Sequence, residues 1–375
     1  MPDALYPINP DRNEPWNTLP DLPISEALYR KVEIFEALGR AKASLGKLQG
    51  RSAAIPNQGL LINTISLQEA KLSSEIENIF TTDDELYRAY SDKLANDGPS
   101  KEVLRYREAL WSGLSYLETS QRFDKNYFVG IYREVTRSKD EIRPDFTNTK
   151  ILSVGSGPQA GNTVYTPPKG QELINRKLDN LLHFVNEDSK YNIDPLLKMT
   201  IAHFQFEAIH PFRDGNGRTG RIFNIHFLTH KGLLDLPILF LSRYILDNKS
   251  DYYAGLSGVS QRADWEAWFL FMLRAVESTA DLTYHKINEI ISTKNNILDY
   301  IENDKRKFRN PEKLVDMIFS QPFTKVNHLT DSGAYAENTA RDYLNRLSEI
   351  GVLEKQNLGG HHYYRNIELY RILAE

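Results

Sequence analysis

The sequence predicts an all-α body with one β-hairpin laid over it, followed by a small α+β module at the C-terminus. Three observations lead to that class. Apolar residues recur at helical spacing through most of residues 24–303. A single glycine-rich stretch with strand-like flanks interrupts them at residues 148–170. Beyond Pro311, three short helical patterns precede an alternating stretch, the order of a winged-helix module. A chain of 375 residues holds about two or three compact domains at roughly 100 to 200 residues each. With 41% hydrophobic and 26% charged residues, its composition is that of an ordinary globular protein.

Prolines at positions 2, 7, 10, 15, 20 and 23 fix φ and remove donors, so the first 23 residues are expected to run extended over a surface. Helix is expected from Ile24, with Ala27, Leu28, Ile34, Phe35 and Leu38 apolar and Gly39 or Gly46 as interruptions. Ser66-Leu67-Gln68-Glu69 has the form of a capping box and is expected to open a second helix carrying Leu72, Ile76, Ile79 and Phe80. Two more helices are expected over residues 100–119 and 125–137. In the hairpin, Ile151-Leu152-Ser153-Val154 and Thr163-Val164-Tyr165-Thr166 flank a loop holding Gly155, Gly157 and Gly161. A lone hairpin is only marginally stable, so it must lie on the body. Helix resumes over residues 172–187, and Asp194 with Pro195 opens the next one, which runs towards Ile209. A further helix runs from near Gly217 to Gly232. Residues 236–241 lead into another that contains Tyr252 and Tyr253, and a long one covers residues 265–303. Lys305-Arg306-Lys307 and Pro311 then mark a boundary, so the expected units are residues 1–120, 121–303 and 310–375.

Several classes are excluded. There is no cysteine, which removes disulfides, thiolate zinc sites, iron–sulfur clusters and thiol nucleophiles, and points to the cytoplasm. The N-terminus lacks the basic and apolar regions of a signal peptide, and the longest apolar runs fall far short of the ~20 residues that span a bilayer. A net charge of −4 gives no long-range pull towards nucleic acid. From Pro322 to Glu375 there are six Lys/Arg against seven Asp/Glu, which favours protein contact or dimer packing over DNA binding for the C-terminal module.

The chemistry is concentrated in residues 210–221, HPFRDGNGRTGR, between two predicted helices. Gly215 and Gly217 allow a backbone that aims N–H groups at an anion, and the helix that follows adds its positive end. Arg218 and Arg221 are three apart, on one helical face, where both can hold phosphate oxygens. Asp214 offers a hard oxygen for Mg²⁺ beside those phosphates. His210 is the one group of the string that titrates near neutral pH and can take a proton from a hydroxyl. The segment from Gly215 to Gly220 also fits a dinucleotide fingerprint, but a capped helix precedes it rather than a buried strand, and no P-loop pattern occurs in the chain.

The whole string resembles the Fic family signature, H-P-F-x-[DE]-G-N-G-R-x-x-R, at every specified position. The resemblance implies a Fic helical core over residues 121–303 that transfers AMP from ATP, with Mg²⁺, to a Ser, Thr or Tyr hydroxyl of a target protein. It implies that His210 is the base, Phe212 the anchor of the loop and Asp214 the Mg²⁺ ligand. Gly215, Asn216, Gly217, Thr219 and Gly220 would line the nucleotide, Arg218 its α/β-phosphates and Arg221 its γ-phosphate. The hairpin is similar to the Fic flap that holds the target by strand addition, and Tyr252 and Tyr253 resemble residues beside the adenosine. Ser73-Ser74-Glu75-Ile76-Glu77-Asn78 fits the inhibitory pattern [ST]-x-x-x-E-[GN] of the family, near residues 66–80. From this, Glu77 is expected to pair with Arg221 and to displace the γ-phosphate, with Ser73 and Asn78 completing the inhibitory motif. Self-modification and a homodimer are further implications of the resemblance. The alternatives are hydrolytic removal of AMP at the same site, and a DNA-binding regulator whose Fic body senses nucleotide.

Overall fold

A computed structural model describes residues 5–53, 58–92, 98–152, 161–304, 307–358 and 361–374. The hairpin-loop glycines Gly155 and Gly157, the Lys305-Arg306 boundary pair and the Gly359-Gly360 turn lie outside the described residues. The proline-rich arm runs extended, buries Tyr6, Trp16 and Leu19, and is tied down by backbone bonds from Trp16 to Thr166 and from Asn9 to Ser260. A single 3-10 turn, Glu26–Leu28, then precedes α1, Val32–Ala53. Helix thus starts later than Ile24, and α1 runs unbroken through Gly39 and Gly46, both of which have open space beside them.

The second helix, α2, is Gln58–Ile76. The Ser66 box expected to open it lies inside it instead. Ser66 and Glu69 are fully buried, and the Glu69 carboxylate accepts from the Ser242 N–H and hydroxyl rather than capping its own helix. A polar pattern that looks like a helix start is here the buried face of a helix interior.

Next come α3 (Asp83–Asp92), α4 (Pro99–Ser120) and α5 (Lys125–Thr136), the last capped by Asp124, whose side chain accepts from the Tyr127 N–H. The short antiparallel pair β1 (Ile151–Leu152) and β2 (Thr163–Tyr165) follows. Helices α6 (Gln171–Asn186), α7 (Pro195–Ile209), α8 (Asn216–His230), α9 (Leu241–Asp247), α10 (Lys249–Arg262) and α11 (Trp265–Glu302) complete the body. As expected, Asp194 caps α7 with Pro195 at its first position. Almost every residue of α7 and α8 is buried, which makes this pair the centre of the molecule. The helix expected to carry Tyr252 and Tyr253 is two, broken at Asn248.

Helix α11 runs from the body into the C-terminal module of α12 (Pro311–Phe319), β3 (Phe323–Thr324), α13 (Val326–Asp331), α14 (Glu337–Glu349), β4 (Leu353–Leu358), β5 (His361–Asn366) and α15 (Ile367–Ala374). The sheet order is β3-β5-β4, all antiparallel, with Phe323 opposite Arg365 and Leu353 opposite Asn366. The module is pinned to α3. Asp92 pairs with Lys325 and accepts from the Tyr363 hydroxyl at 2.6 Å, and Tyr87 stacks on Phe323. Among the described residues no helix is long and apolar enough to cross a membrane.

Candidate active site

The loop between α7 and α8 is shaped by its own side chains. His210 ends α7 in the left-handed region, φ 50° and ψ 60°, its N–H closing on the Phe206 carbonyl. Phe212 is fully buried and stacks on Tyr132 with ring centroids 4.2 Å apart. The Asn216 side chain grips the Phe212 backbone at both ends. Its Oδ1 accepts from the Phe212 N–H and its Nδ2 donates to the Phe212 carbonyl, each at 2.9 Å. Asn216 therefore shapes the loop with its side chain. Arg143, from the segment leading into the hairpin, donates from Nε to the His210 carbonyl at 2.7 Å. Gly215 sits at φ 70°, and a Cβ there would lie 2.7 Å from the Thr136 methyl.

Asp214 lies at the mouth of the loop, its side chain 82% exposed, with Oδ1 accepting from the Gly215 N–H. One exposed carboxylate suits Mg²⁺, which takes most of its ligands from phosphate oxygens and water; no cluster of three acidic or histidine ligands occurs among the described residues. Arg218 is buried and held at 3.3 Å by Glu102 of α4 and at 3.7 Å by Asp214. Thr219 and Gly220 are buried in the body of α8.

Facing this loop is the C-terminal end of α2. Asn78 adopts φ 63°, the Ile79 N–H bonds to the Ser74 carbonyl and the Asn78 N–H to the Glu75 carbonyl, which is a Schellman closure. The terminal Asn of the 73–78 pattern is thus the left-handed residue that stops the helix, and Glu77 occupies the cap position itself. Because the Glu77 N–H turns to Ser74, the Ser73 carbonyl is free for another donor. Arg221 takes it at 2.9 Å, donates to Ser73 Oγ at 2.8 Å, and pairs with Glu77 Oε1 at 2.7 Å. A second cation, Lys249 of α10, caps the Ile76 carbonyl at 2.5 Å. Gly217 makes room for this contact, since a Cβ there would lie 2.3 Å from Glu77 Oε1.

Charges at the site are strongly coupled. Burial pushes the Glu77 carboxyl up, but Arg221 and then Arg218 and Lys249 outweigh it and hold the pKa below its ordinary value. Burial works against Arg221 likewise, and Glu77 more than restores its charge. Two further acids surround the same guanidinium. Glu69 is pushed to about 7 by burial, against the bonds from Ser242, and Glu207 to about 8 by burial, against the attraction of Arg221. His210 is driven down to about 4, first by burial and then by Arg143, so its imidazole is neutral near pH 7. Tyr252 is buried with its hydroxyl on His203 Nε2 at 2.8 Å, whereas Tyr253 is half-buried beside it. Glu102, Arg143 and Glu207 had no sequence signal beyond being charged residues within helical or loop patterns, and Glu69 was offered only as part of a helix-start pattern.

Residues 35–115 match the sequence model of the Fic/DOC family N-terminal region, and residues 120–228 match that of the Fic/DOC family itself, together half of the chain. The chain belongs to the Fic/DOC family. Residues 294–369 also match the C-terminal domain of protein adenylyltransferase SoFic-like proteins. Among curated Fic relatives, protein adenylyltransferase fic-1 of Caenorhabditis elegans is 26% identical over 166 residues, 42% of this chain and 30% of that protein. Protein adenylyltransferase Fic of Drosophila grimshawi is 29% identical over 153 residues, 40% of this chain and 28% of that protein. The aligned part thus spans about a third of the length of these relatives. A Fic family protein from Desulfovibrio desulfuricans G20 has the same fold, with a TM-score of 0.54 and 19% identity over 92% of this chain and 98% of that one. Fic-1 from C. elegans aligns with a TM-score of 0.51 and 18% identity over 69% of this chain and 74% of the other.

Proposed function

We propose that the protein is an adenylyltransferase that moves AMP from ATP onto a hydroxyl side chain of a target protein, and that the end of α2 holds it inhibited. The observation that carries this reading is the convergence of the 210–221 loop and Glu77 on one buried guanidinium, Arg221. A neutral His210 can accept the proton of an incoming Ser, Thr or Tyr hydroxyl. Its Nδ1 is buried, which leaves Nε2 as the accepting nitrogen. As that proton leaves, the hydroxyl oxygen bonds to the α-phosphorus, the bond from that phosphorus to the bridging oxygen breaks, and pyrophosphate departs with its electron pair. The N–H groups at the start of α8 and the two arginines stabilise the charge that develops. Asp214 would hold Mg²⁺, which neutralises phosphate charge when bound. With Glu77 on Arg221, the cation assigned to the γ-phosphate is occupied, and ATP loses the contact that would align it.

We read residues 310–375 as a winged-helix module used for protein contact. On α14, Arg341 pairs with Glu337 at 2.5 Å, and Arg346 pairs with Asp342 while stacking on Phe308, so neither arginine is presented alone as a DNA reader would present it. The test of the main reading is transfer of label from ATP labelled at the α-phosphate, with Mg²⁺ and cell extract as the source of target. Strong labelling is expected for Glu77→Gly, weak labelling for the parent, and none for Glu77→Gly combined with His210→Ala. Absence of labelling in every form refutes the activity, and equal labelling with and without His210 refutes the base.

A further inference from the structure

Arg143 lies outside every motif, yet it is among the most buried charged side chains, 1% exposed. Its described partners are all backbone carbonyls. Nε donates to His210 at 2.7 Å, and Nη2 donates to Pro168 and, at 3.4 Å, to Ile209. Its own N–H donates to the Pro211 carbonyl at 2.9 Å. A buried guanidinium is costly without a counter-ion, and burial lowers its pKa to about 10. The four bonds join two segments with separate tasks. Residues 209–211 carry the histidine, and Pro168 ends the return arm of the hairpin.

We propose that Arg143 is the positioning residue of the catalytic base, locking the His210 backbone to the root of the hairpin so that the base and the strand that receives the target share one frame. The proposal rests on the reading of His210 as the base. His210 sits in the left-handed region, a conformation that a residue with a Cβ adopts at a cost and keeps only when its surroundings hold it. The fork of Arg143 supplies that hold through the His210 and Ile209 carbonyls. It also acts through charge. The groups facing His210 are Arg143 from the hairpin root, Glu77 from α2, Asp214 from the loop and the Glu207 carbonyl from α7. Of these, Arg143 alone favours the neutral imidazole; the other three favour the imidazolium. Lysine would keep the charge but lose the planar fork, and glutamine would lose both.

The test uses the full chain in the Glu77→Gly background, with Arg143→Gln, Arg143→Lys and His210→Ala compared. Transfer from ATP labelled at the α-phosphate is read as kcat and KM for ATP, and the His210 titration by imidazole NMR, with His210→Ala identifying its signal. Arg143→Gln is expected to lower kcat at least tenfold with KM for ATP within twofold, and to move the His210 pKa upward. Arg143→Lys is expected to leave that pKa in place and to recover part of kcat. Unchanged kcat and unchanged titration in Arg143→Gln overturn the proposal. Should Arg143→Gln fail to fold, Arg143→Lys decides, because full kcat there shows that the fork is not needed. If His210→Ala keeps full transfer, the base reading fails instead, whatever the Arg143 variants do.

Discussion

Replacing Glu77 by glycine removes one of three acceptors that α2 offers Arg221 and leaves both bonds to Ser73 in place. The lost bond is charge-assisted, 2.7 Å long, between a guanidinium side chain 1% exposed and a carboxylate 32% exposed. Such a bond contributes about 1.5 to 3 kcal/mol, and partial exposure of the carboxylate favours the lower half of that range. At about 1.4 kcal/mol per factor of ten, the fraction of molecules with Arg221 free for phosphate rises roughly 10- to 40-fold. The assay is the initial rate of label transfer at subsaturating ATP, with thermal unfolding recorded beside it to show that the fold is intact. Glu77→Gln, which keeps an acceptor but no charge, is expected to fall between parent and Glu77→Gly. A rise below threefold in Glu77→Gly, with the fold intact, refutes the argument that this ion pair limits the reaction.

Other outcomes follow from the same geometry. Glu207 has a folded pKa of about 8 against an ordinary value of 4.5, so the folded state binds its proton more tightly than the unfolded chain does. The stability this gives is complete below pH 4.5 and is lost as pH rises to about 8. In denaturant titrations Glu207→Gln should therefore gain on the parent at pH 8.5 relative to pH 4.5, and equal differences at both pH values contradict the assignment. Gly113→Ala would put a Cβ 2.5 Å from both His226 Cε1 and Ile131 Cδ1, where α4 meets α8 and α5. It should destabilise by about 1 to 3 kcal/mol, measured as a lower denaturation midpoint. Asp92→Asn weakens the ties from Lys325 and Tyr363 that hold the C-terminal module on α3. Cleavage by trypsin near residues 305–309 should then speed up without change at the arm, and an unchanged pattern would show that the tie is dispensable.

The parts legible in the sequence were those whose determinants are local. The Asp194-Pro195 start of α7, the extent of α11 and the 210–221 loop each rest on neighbouring residues, and the structure places them as expected. The start of α2 was misread because Glu69 bonds to Ser242 and Tyr106, 173 and 37 residues away, and Ser66 Oγ has no partner among the described residues, which no short pattern encodes. Helix α3 was passed over because it opens with three acids and owes its place to Tyr87 and Asp92 meeting the C-terminal module. Arg143 and Glu207 are single charged residues whose meaning lies entirely in their burial. The same limit applied to Asn216, which the loop pattern offered as a ligand contact and whose amide is engaged by Phe212.

Glu77 sits at the C-cap of α2, just past its last residue, Ile76. A cap residue can leave its partner when the last turn unwinds, with the rest of the helix in place. The upper turns of α2 are anchored by Ile65, Leu67, Ala70 and the Glu69–Ser242 bonds. Glu77 and Asn78 lie beyond these anchors, at the end closed by the bonds to Ser74 and Glu75 and by Lys249. The segment that follows carries Phe80, 64% exposed, within reach of anything that binds the outside of the molecule. The Glu77–Arg221 contact is thus a clasp at the end of a fixed bar: under the proposed inhibition, opening it would ask for a change in a few residues and leave the rest of the site in place.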